Sequence, residues 1–230
     1  FRQVSAEAFL PTDKSQFFFT PTLVNTGAEL ILFDTGQSQA DITRAIGAAG
    51  YEPGQVDKVI ITHMHGDHIG GLMEGDAATF ENATLHTTQV EMDHWAGAEN
   101  ETFEAKVAPL RDRFEMIADG AEAAPGITAM AMHGHTPGHT GYMLTSGDRS
   151  LLLVADMTNH YVWSLAHPDW EVRFDMDKAA AAETRRRVLG MLASEKMPMV
   201  GYHMPFPAIG FVETRGDGFR WVPESYQLML

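Results

Sequence analysis

The stretch Ile61-Thr62-His63-Met64-His65-Gly66-Asp67-His68-Ile69-Gly70-Gly71 constrains this chain more than any other. Three histidines and an aspartate fall between positions 63 and 68. Imidazole nitrogen and carboxylate oxygen together suit Zn²⁺ and its first-row neighbours. The preceding run Val59-Ile60-Ile61-Thr62 is apolar and β-branched, which predicts a buried strand. The glycine pair after Ile69 predicts a tight turn. The donors then sit on a loop at a strand end, with rigid scaffold behind them. In extended backbone His63 and His65 point the same way, because Met64 separates them. Asp67 and His68 follow the turn at Gly66, so they can face a second centre, and one short loop can feed two metals. A lone histidine, or a single His-x-His pair, is more often structural. Four donor residues in His-x-His-x-Asp-His order after a strand are far more specific.

Charge and composition narrow the substrate. Net charge is −15, with 16 basic residues and no long basic run. That argues against a nucleic-acid polyanion as partner. There are no cysteines, so disulfides and thiolate ligands are excluded, and a metal must be held by His, Asp, Glu or backbone. No apolar run approaches the roughly 18 residues of a spanning helix, so no membrane partner is expected. At 230 residues, with no repeat, low-complexity tract or linker, a single domain over 1–230 is expected. The chain begins at Phe1 rather than Met, so a preceding segment is expected, and the compartment stays open between exported and cytoplasmic.

Periodicity places the elements. Thr22–Phe33 predicts a hairpin turning near Asn25–Ala28, followed by Asp34-Thr35-Gly36. Ser38 is placed to cap a helix ending near Ala49, with Ile42, Ala45, Ile46 and Ala49 on one face. A short strand over Ala83–Thr87 and a helix over Thr88–Gly97 carrying Trp95 come next. Asn100–Asp119 has apolar residues at helical spacing, with Pro109 to kink or break it. From Ile127 the period turns to strands: Ile127–His133, Tyr142–Thr145 and Leu151–Ala155. Residues 159–176 predict a long loop. Asp177 is placed to cap a helix over Lys178–Glu195, with Arg185-Arg186-Arg187 on its solvated face. Met199–Tyr202 predicts a strand, and Gly210–Thr214 with Gly218–Val222 a hairpin. Phe17-Phe18-Phe19 predicts core or a subunit interface, as in a homodimer, with an apolar rim over the metals as the alternative. Two strand-rich blocks, each followed by helix, suggest two sheets face to face with helices outside.

Thr-His-x-His-x-Asp-His followed by Gly-Gly resembles the metallo-β-lactamase superfamily. So do Asp34-Thr35-Gly36 at a strand end, Gly134-His135-Thr136-Pro137-Gly138-His139-Thr140, and Asp156 closing Leu151–Ala155. Within it the chain is most similar to methyl parathion hydrolase and related lactonases, on Phe206-Pro207-Ala208-Ile209-Gly210 and Gly218-Phe219-Arg220-Trp221-Val222-Pro223. The resemblance implies an α/β fold, the four-layer αβ/βα sandwich, whose further N-terminal strand precedes Phe1. It implies two divalent ions, Zn²⁺ before Mn, Fe or Co. His63, His65 and His139 would bind one, Asp67, His68 and His203 the other, and Asp156 would bridge them. Asp34 would orient a metal-bound histidine. His86, His94, His133, His135, His160 and His167 are read as structural or surface, with His160 also able to line a pocket.

Two ions about 3.5–4 Å apart can hold a bridging hydroxide and clamp the group under attack, with Asp67 and Asp156 as the catalytic carboxylates. The implied activity is hydrolysis of a neutral small molecule: an acyl-homoserine or aromatic lactone, with organophosphate triesters possible. A carboxylic ester or β-lactam hydrolase is the alternative, and a catalytically silent metal-binding module a third reading. Trp95, Phe18, Phe19, His160 and Tyr161 are the candidate substrate contacts. Acyl-homoserine lactonases carry a tyrosine three residues after the bridging aspartate. This chain has Asn159 there, with Tyr161 two further on.

Overall fold

The computed structural model describes residues 1–224. They form two compact units: Pro21–Ala121, and a second made of Phe1–Thr20 with the chain from Glu122 onward.

The Pro21–Ala121 unit is built on a five-stranded sheet in the order Thr22–Asn25, Leu30–Phe33, Lys58–Ile60, Thr84–Thr87, Phe114–Met116. The first pair is the expected antiparallel hairpin, with Thr22 opposite Phe33, and the other pairings are parallel. Parallel strands are covered on both faces, so Leu30–Phe33 is buried throughout and reads as an unbroken apolar run. Helix Gln39–Ala48 begins where Ser38 Oγ accepts the Asp41 N–H. Its buried face is narrower than the periodicity predicts: Ile42 and Ile46 are buried, whereas Ala45 and Ala49 are exposed. Helix Gln89–Ala96 begins on the Thr88 hydroxyl, which accepts from Glu91 N–H. The core gathers Leu32, Val59, Ile61, Leu85, Met92 and Phe103.

Asn100–Asp119 is not one kinked helix. It comprises a helix Glu101–Lys106, a 3-10 turn Ala108–Arg113, and a strand Phe114–Met116. Pro109 has no N–H to continue the helix. Beyond it, the backbone groups of Phe114–Met116 find partners along Thr84–Thr87 instead.

The second unit holds a seven-stranded sheet in the order Gly218–Pro223, Ile209–Arg215, Met199–Gly201, Arg149–Ala155, Thr140–Ser146, Ile127–Ala131, Glu122–Ala124. Arg149–Ala155 and Met199–Gly201 run parallel, joined through helix Lys178–Glu195. Asp177 caps that helix by accepting the Ala180 N–H. Ala181, Val188, Leu189 and Leu192 bury one face of it. Arg185 departs from the expected solvated face. It is 1% exposed, and its guanidinium lies on Asp175, while Arg186 and Arg187 are exposed. Residues 159–176 form the expected long connection, broken by one helical turn, Trp163–Ala166. Phe17 and Phe19 do not enter a core, being 42% and 40% exposed. Among the described residues no helix is long and apolar enough to cross a membrane.

Candidate metal centre

In the Pro21–Ala121 unit the donor loop leaves strand Lys58–Ile60, held at its root by Ile61 N–H to His86 O (2.8 Å). His65 is the N-cap of the short helix Gly66–Ile69, which carries Asp67 and His68. Asp34, buried and in the left-handed region at φ 59°, ties this loop together. One of its oxygens accepts the Thr62 N–H at 2.9 Å. The other accepts the Thr62 hydroxyl at 2.8 Å and His68 Nδ1–H at 2.8 Å. A carboxylate can only accept, so the His68 proton sits on Nδ1 and Nε2 presents a lone pair, 3.6 Å from Asp67 Oδ2. The Thr62 hydroxyl, having donated to Asp34, accepts from His63 Nδ1 at 3.2 Å. That leaves His63 Nε2 as a lone pair 3.1 Å from His65 Nδ1.

Behind the loop sits a fully buried carboxylate, Glu91. Its Oε1 accepts the Met64 N–H (2.8 Å) and the Trp95 indole N–H (2.6 Å). Trp95 meets His65 edge-on at 5.6 Å and is 5% exposed. Trp95 therefore backs His65 from the core. Nothing in the sequence marked Glu91 beyond its place in the first turn of a helix.

In the second unit Asp156 leaves the end of Arg149–Ala155 through Ala155, a non-glycine residue at φ 45°. Such a conformation costs on the order of 1–3 kcal/mol and persists where surrounding contacts impose it. Here those contacts include Asp156 N–H to His139 Nε2 at 3.1 Å and Tyr202 N–H to Ala155 O at 3.2 Å. Three groups reach the Asp156 carboxylate at Oδ2: His203 Nε2 (2.9 Å), His135 Nε2 (3.4 Å) and the Asn159 amide N–H (3.2 Å).

The two histidines of Gly134–Thr140 have different partners. His139 Nδ1 donates to Met132 O at 2.9 Å, and its Nε2 accepts the Asp156 N–H. Both of its nitrogens thus meet backbone groups, one of them the N–H of Asp156. The Nδ1–H of His135 lies on Asp175 Oδ1 at 2.9 Å, and its Nε2 stands 3.4 Å from Asp156 Oδ2. His203 is arranged alike, with Nδ1–H on Phe18 O at 2.7 Å. Phe17 and Phe19 stand edge-on to its ring at 5.3 and 5.5 Å.

This tautomer pattern tests whether a metal suits these residues. His135 Nε2 and His203 Nε2 each turn a lone pair to Asp156 Oδ2, at 3.4 and 2.9 Å. In the other unit His63 Nε2 and His65 Nδ1 lie 3.1 Å apart. Crowded lone pairs repel unless a cation lies among them. Nitrogen and carboxylate donors with Nδ1 or Nε2 locked by an acceptor behind are what a divalent ion of the zinc type requires. The residues fit.

Phe18, His160 and Tyr161 also meet, lining a cavity of about 360 Å³ with Leu10, Pro11 and Trp163. His160 stacks on Trp163 at 3.7 Å and on Tyr161 at 4.6 Å. Burial holds its imidazole down at about pKa 4, so it is neutral at ordinary pH.

A mixed α/β fold that presents histidine and aspartate at strand ends defines a metal-binding enzyme scaffold. The chain belongs to the metallo-β-lactamase superfamily: the model of that family matches residues 20–197. Its fold is the αβ/βα sandwich of the family. Among solved structures it is similar to AidC, a dizinc quorum-quenching lactonase seen with a product N-hexanoyl-L-homoserine. That likeness has 25% identity, covers 98% of this chain and 85% of that one, and has a TM-score of 0.91. It is equally similar in shape to the hydrolase AbOPH, at 26% identity over 97% of this chain and 86% of that one, with a TM-score of 0.91. An N-acyl homoserine lactonase of Bacillus thuringiensis is 27% identical over 116 residues, 50% of this chain and 44% of its own. A beta-lactamase-like protein 2 homolog of Caenorhabditis elegans is 29% identical over 121 residues, 51% of this chain and 37% of its own. The chain thus spans less than half the length of these curated relatives.

Proposed function

We propose that the protein is a dinuclear metal-dependent hydrolase of neutral lactones, with acyl-homoserine lactones as the first class to test. The ligands proposed are His63, His65, Asp67, His68, His135, Asp156 and His203. The observation that carries this is the set of imidazole lone pairs turned toward carboxylates, each fixed by an acceptor on the opposite ring nitrogen. Likeness to a dizinc lactonase over almost the whole chain supports the substrate class.

Two divalent ions, when bound, would polarise the lactone carbonyl and make water acidic enough to attack near neutral pH. The protein's own part is positioning. Asp34, Asp175 and Phe18 O fix three imidazoles. Asn159 and His139 fix Asp156, by its carboxylate and its backbone respectively. Asp67, with its carboxylate partly open to solvent, is placed to take a proton from the attacking water and return it to the ring oxygen as the acyl bond breaks. The product is the hydroxy acid. The cavity of Phe18, His160, Tyr161 and Trp163 is mainly apolar with a neutral imidazole, which suits the uncharged tail of such a substrate.

Protein purified without chelator should carry about two first-row ions per chain. A reproducible value of one or less under metal-replete conditions sinks the dinuclear reading. A parallel kinetic screen with a lactone, an organophosphate triester, a carboxylic ester and a β-lactam should rank the lactone first by kcat/KM. A clear lead for another substrate moves the assignment to that class.

A further inference from the structure

Behind His135 lies a buried ion pair with no evident need to be there. Asp175 is 5% and Arg185 1% exposed. Arg185 Nη2 donates to Asp175 Oδ2 at 2.9 Å, with Nη1 at 3.4 Å, and its Nε donates to Pro168 O at 3.1 Å. The other oxygen of Asp175 accepts His135 Nδ1–H at 2.9 Å. The backbone repeats the connection: Met176 N–H reaches His135 O at 3.1 Å, and Asp177 N–H reaches Gly134 O at 2.9 Å. Helix Lys178–Glu195, the loop before it and the His135 turn are thus one hydrogen-bonded assembly.

A buried ion pair is seldom an asset to stability, since desolvating two charges offsets most of their attraction. This pair does something an apolar pair cannot. Arg185 occupies one oxygen of Asp175, so the carboxylate cannot rotate away, and the remaining oxygen faces His135. An imidazole whose Nδ1–H is held by a fixed carboxylate has one tautomer and one ring orientation, and its Nε2 is a better donor.

We propose that Asp175 and Arg185 are positioning residues that set the tautomer and aim of His135, and through it the affinity of one of the two metal ions. This rests on His135 being a ligand, as proposed above. It also gives residues 159–176 a second role. The segment that carries His160, Tyr161 and Trp163 is anchored by the same Arg185, through Pro168 O, as the metal donor.

The test uses the full chain loaded with zinc. The double variant Asp175→Leu with Arg185→Met removes both charges and the acceptor without stranding either partner. Its metal-free thermal midpoint should stay within a few degrees of wild type. Chelator competition should show one ion bound about 10–100-fold more weakly and the other unchanged. With cobalt in place of zinc, the visible spectrum should change for one site only. Both ions held within about 3-fold of wild type, with an unchanged cobalt spectrum, overturns the proposal. If the double variant does not fold, Asp175→Asn is read by the same two measurements and the same limits. His135→Ala separates the two layers of argument. If it holds both ions as wild type does, His135 is no ligand and the reading beneath fails. If it loses one ion while the Asp175 variants lose none, only the positioning role fails.

Discussion

Asp156 meets His135, His203 and Asn159 through its carboxylate and His139 through its backbone, so it is a residue at which chemistry and scaffold can be separated. Asp156→Asn keeps size and one oxygen but removes the charge that His135 and His203 face. Two cations held close together repel, and an anion between them offsets that repulsion. Turnover at neutral pH should fall by orders of magnitude with loss of at least one ion, and the fold should persist. If Asp156 merely closed a strand, the same change would cost about 1 kcal/mol and leave the rate alone. Metal content, thermal midpoint and a pH–rate profile on one preparation decide between these. A second residue reports on stability through pH. His160 Nδ1 accepts the N–H groups of Val162 and Trp163 at 3.1 and 3.3 Å, which needs it unprotonated. Its pKa of about 4, lowered by burial, lies below the 6.5 of the unfolded chain. Its contribution is therefore whole above pH 6.5 and is lost as pH falls toward 4. Metal-free His160→Gln should show a flatter fall of thermal midpoint from pH 7 to 4.5 than wild type. Parallel curves would remove this role. The loop His63–His68 stood out in the sequence because its four donor-type residues fall within six positions. The difference between His135 and His139 did not. They sit four apart in Gly-His-Thr-Pro-Gly-His, and only the groups behind each ring, Asp175 or Met132 O, tell them apart.

At the scale of elements, the caps and hairpins announced themselves, because Ser38 and Asp177 act on N–H groups three residues on. What stayed hidden depends on partners distant in sequence. Phe114–Met116 carries a helical pattern yet is a strand, since an open edge at Thr84–Thr87 takes its hydrogen bonds. Arg185 looks like one of three surface arginines until Asp175, ten residues earlier and on no common helical face, comes against it. Packing of the helix on the His135 turn makes Gly134 a sharp probe. At φ +124°, a Cβ there would lie 2.2 Å from Ala181 N, a backbone atom of the helix. Gly134→Ala must therefore displace the turn or the helix. The expected result is a loss of several degrees in thermal midpoint together with weaker binding of one ion. Gly190, on the same helix with open space about it, is the control, and Gly190→Ala should leave metal affinity unchanged. Equal behaviour of the two variants would mean that the turn and the helix tolerate separation.

For the molecule as a whole, the charge of −15 acts on every approaching substrate. The donors of the candidate centre add carboxylates of their own in Asp67 and Asp156. The cavity beside His203 is lined by one lysine, Lys14, and no arginine. A neutral lactone meets none of this field, whereas an anionic substrate must climb against it. The repulsion is long-ranged and is screened over about 10 Å at 0.1 M salt. Two signs follow. For a neutral lactone, kcat/KM should be nearly flat between low salt and about 0.3 M. For an analogue carrying an added carboxylate or phosphate remote from the ring, kcat/KM should start lower and rise with salt, with the change in KM rather than kcat. Because the added charge is remote from the reacting bond, the ratio isolates the protein's field from the chemistry. An anionic analogue that outruns the neutral one at low salt, and slows as salt is added, would mean that a basic surface guides substrate in. The preference for neutral substrates argued from composition would then have to be given up.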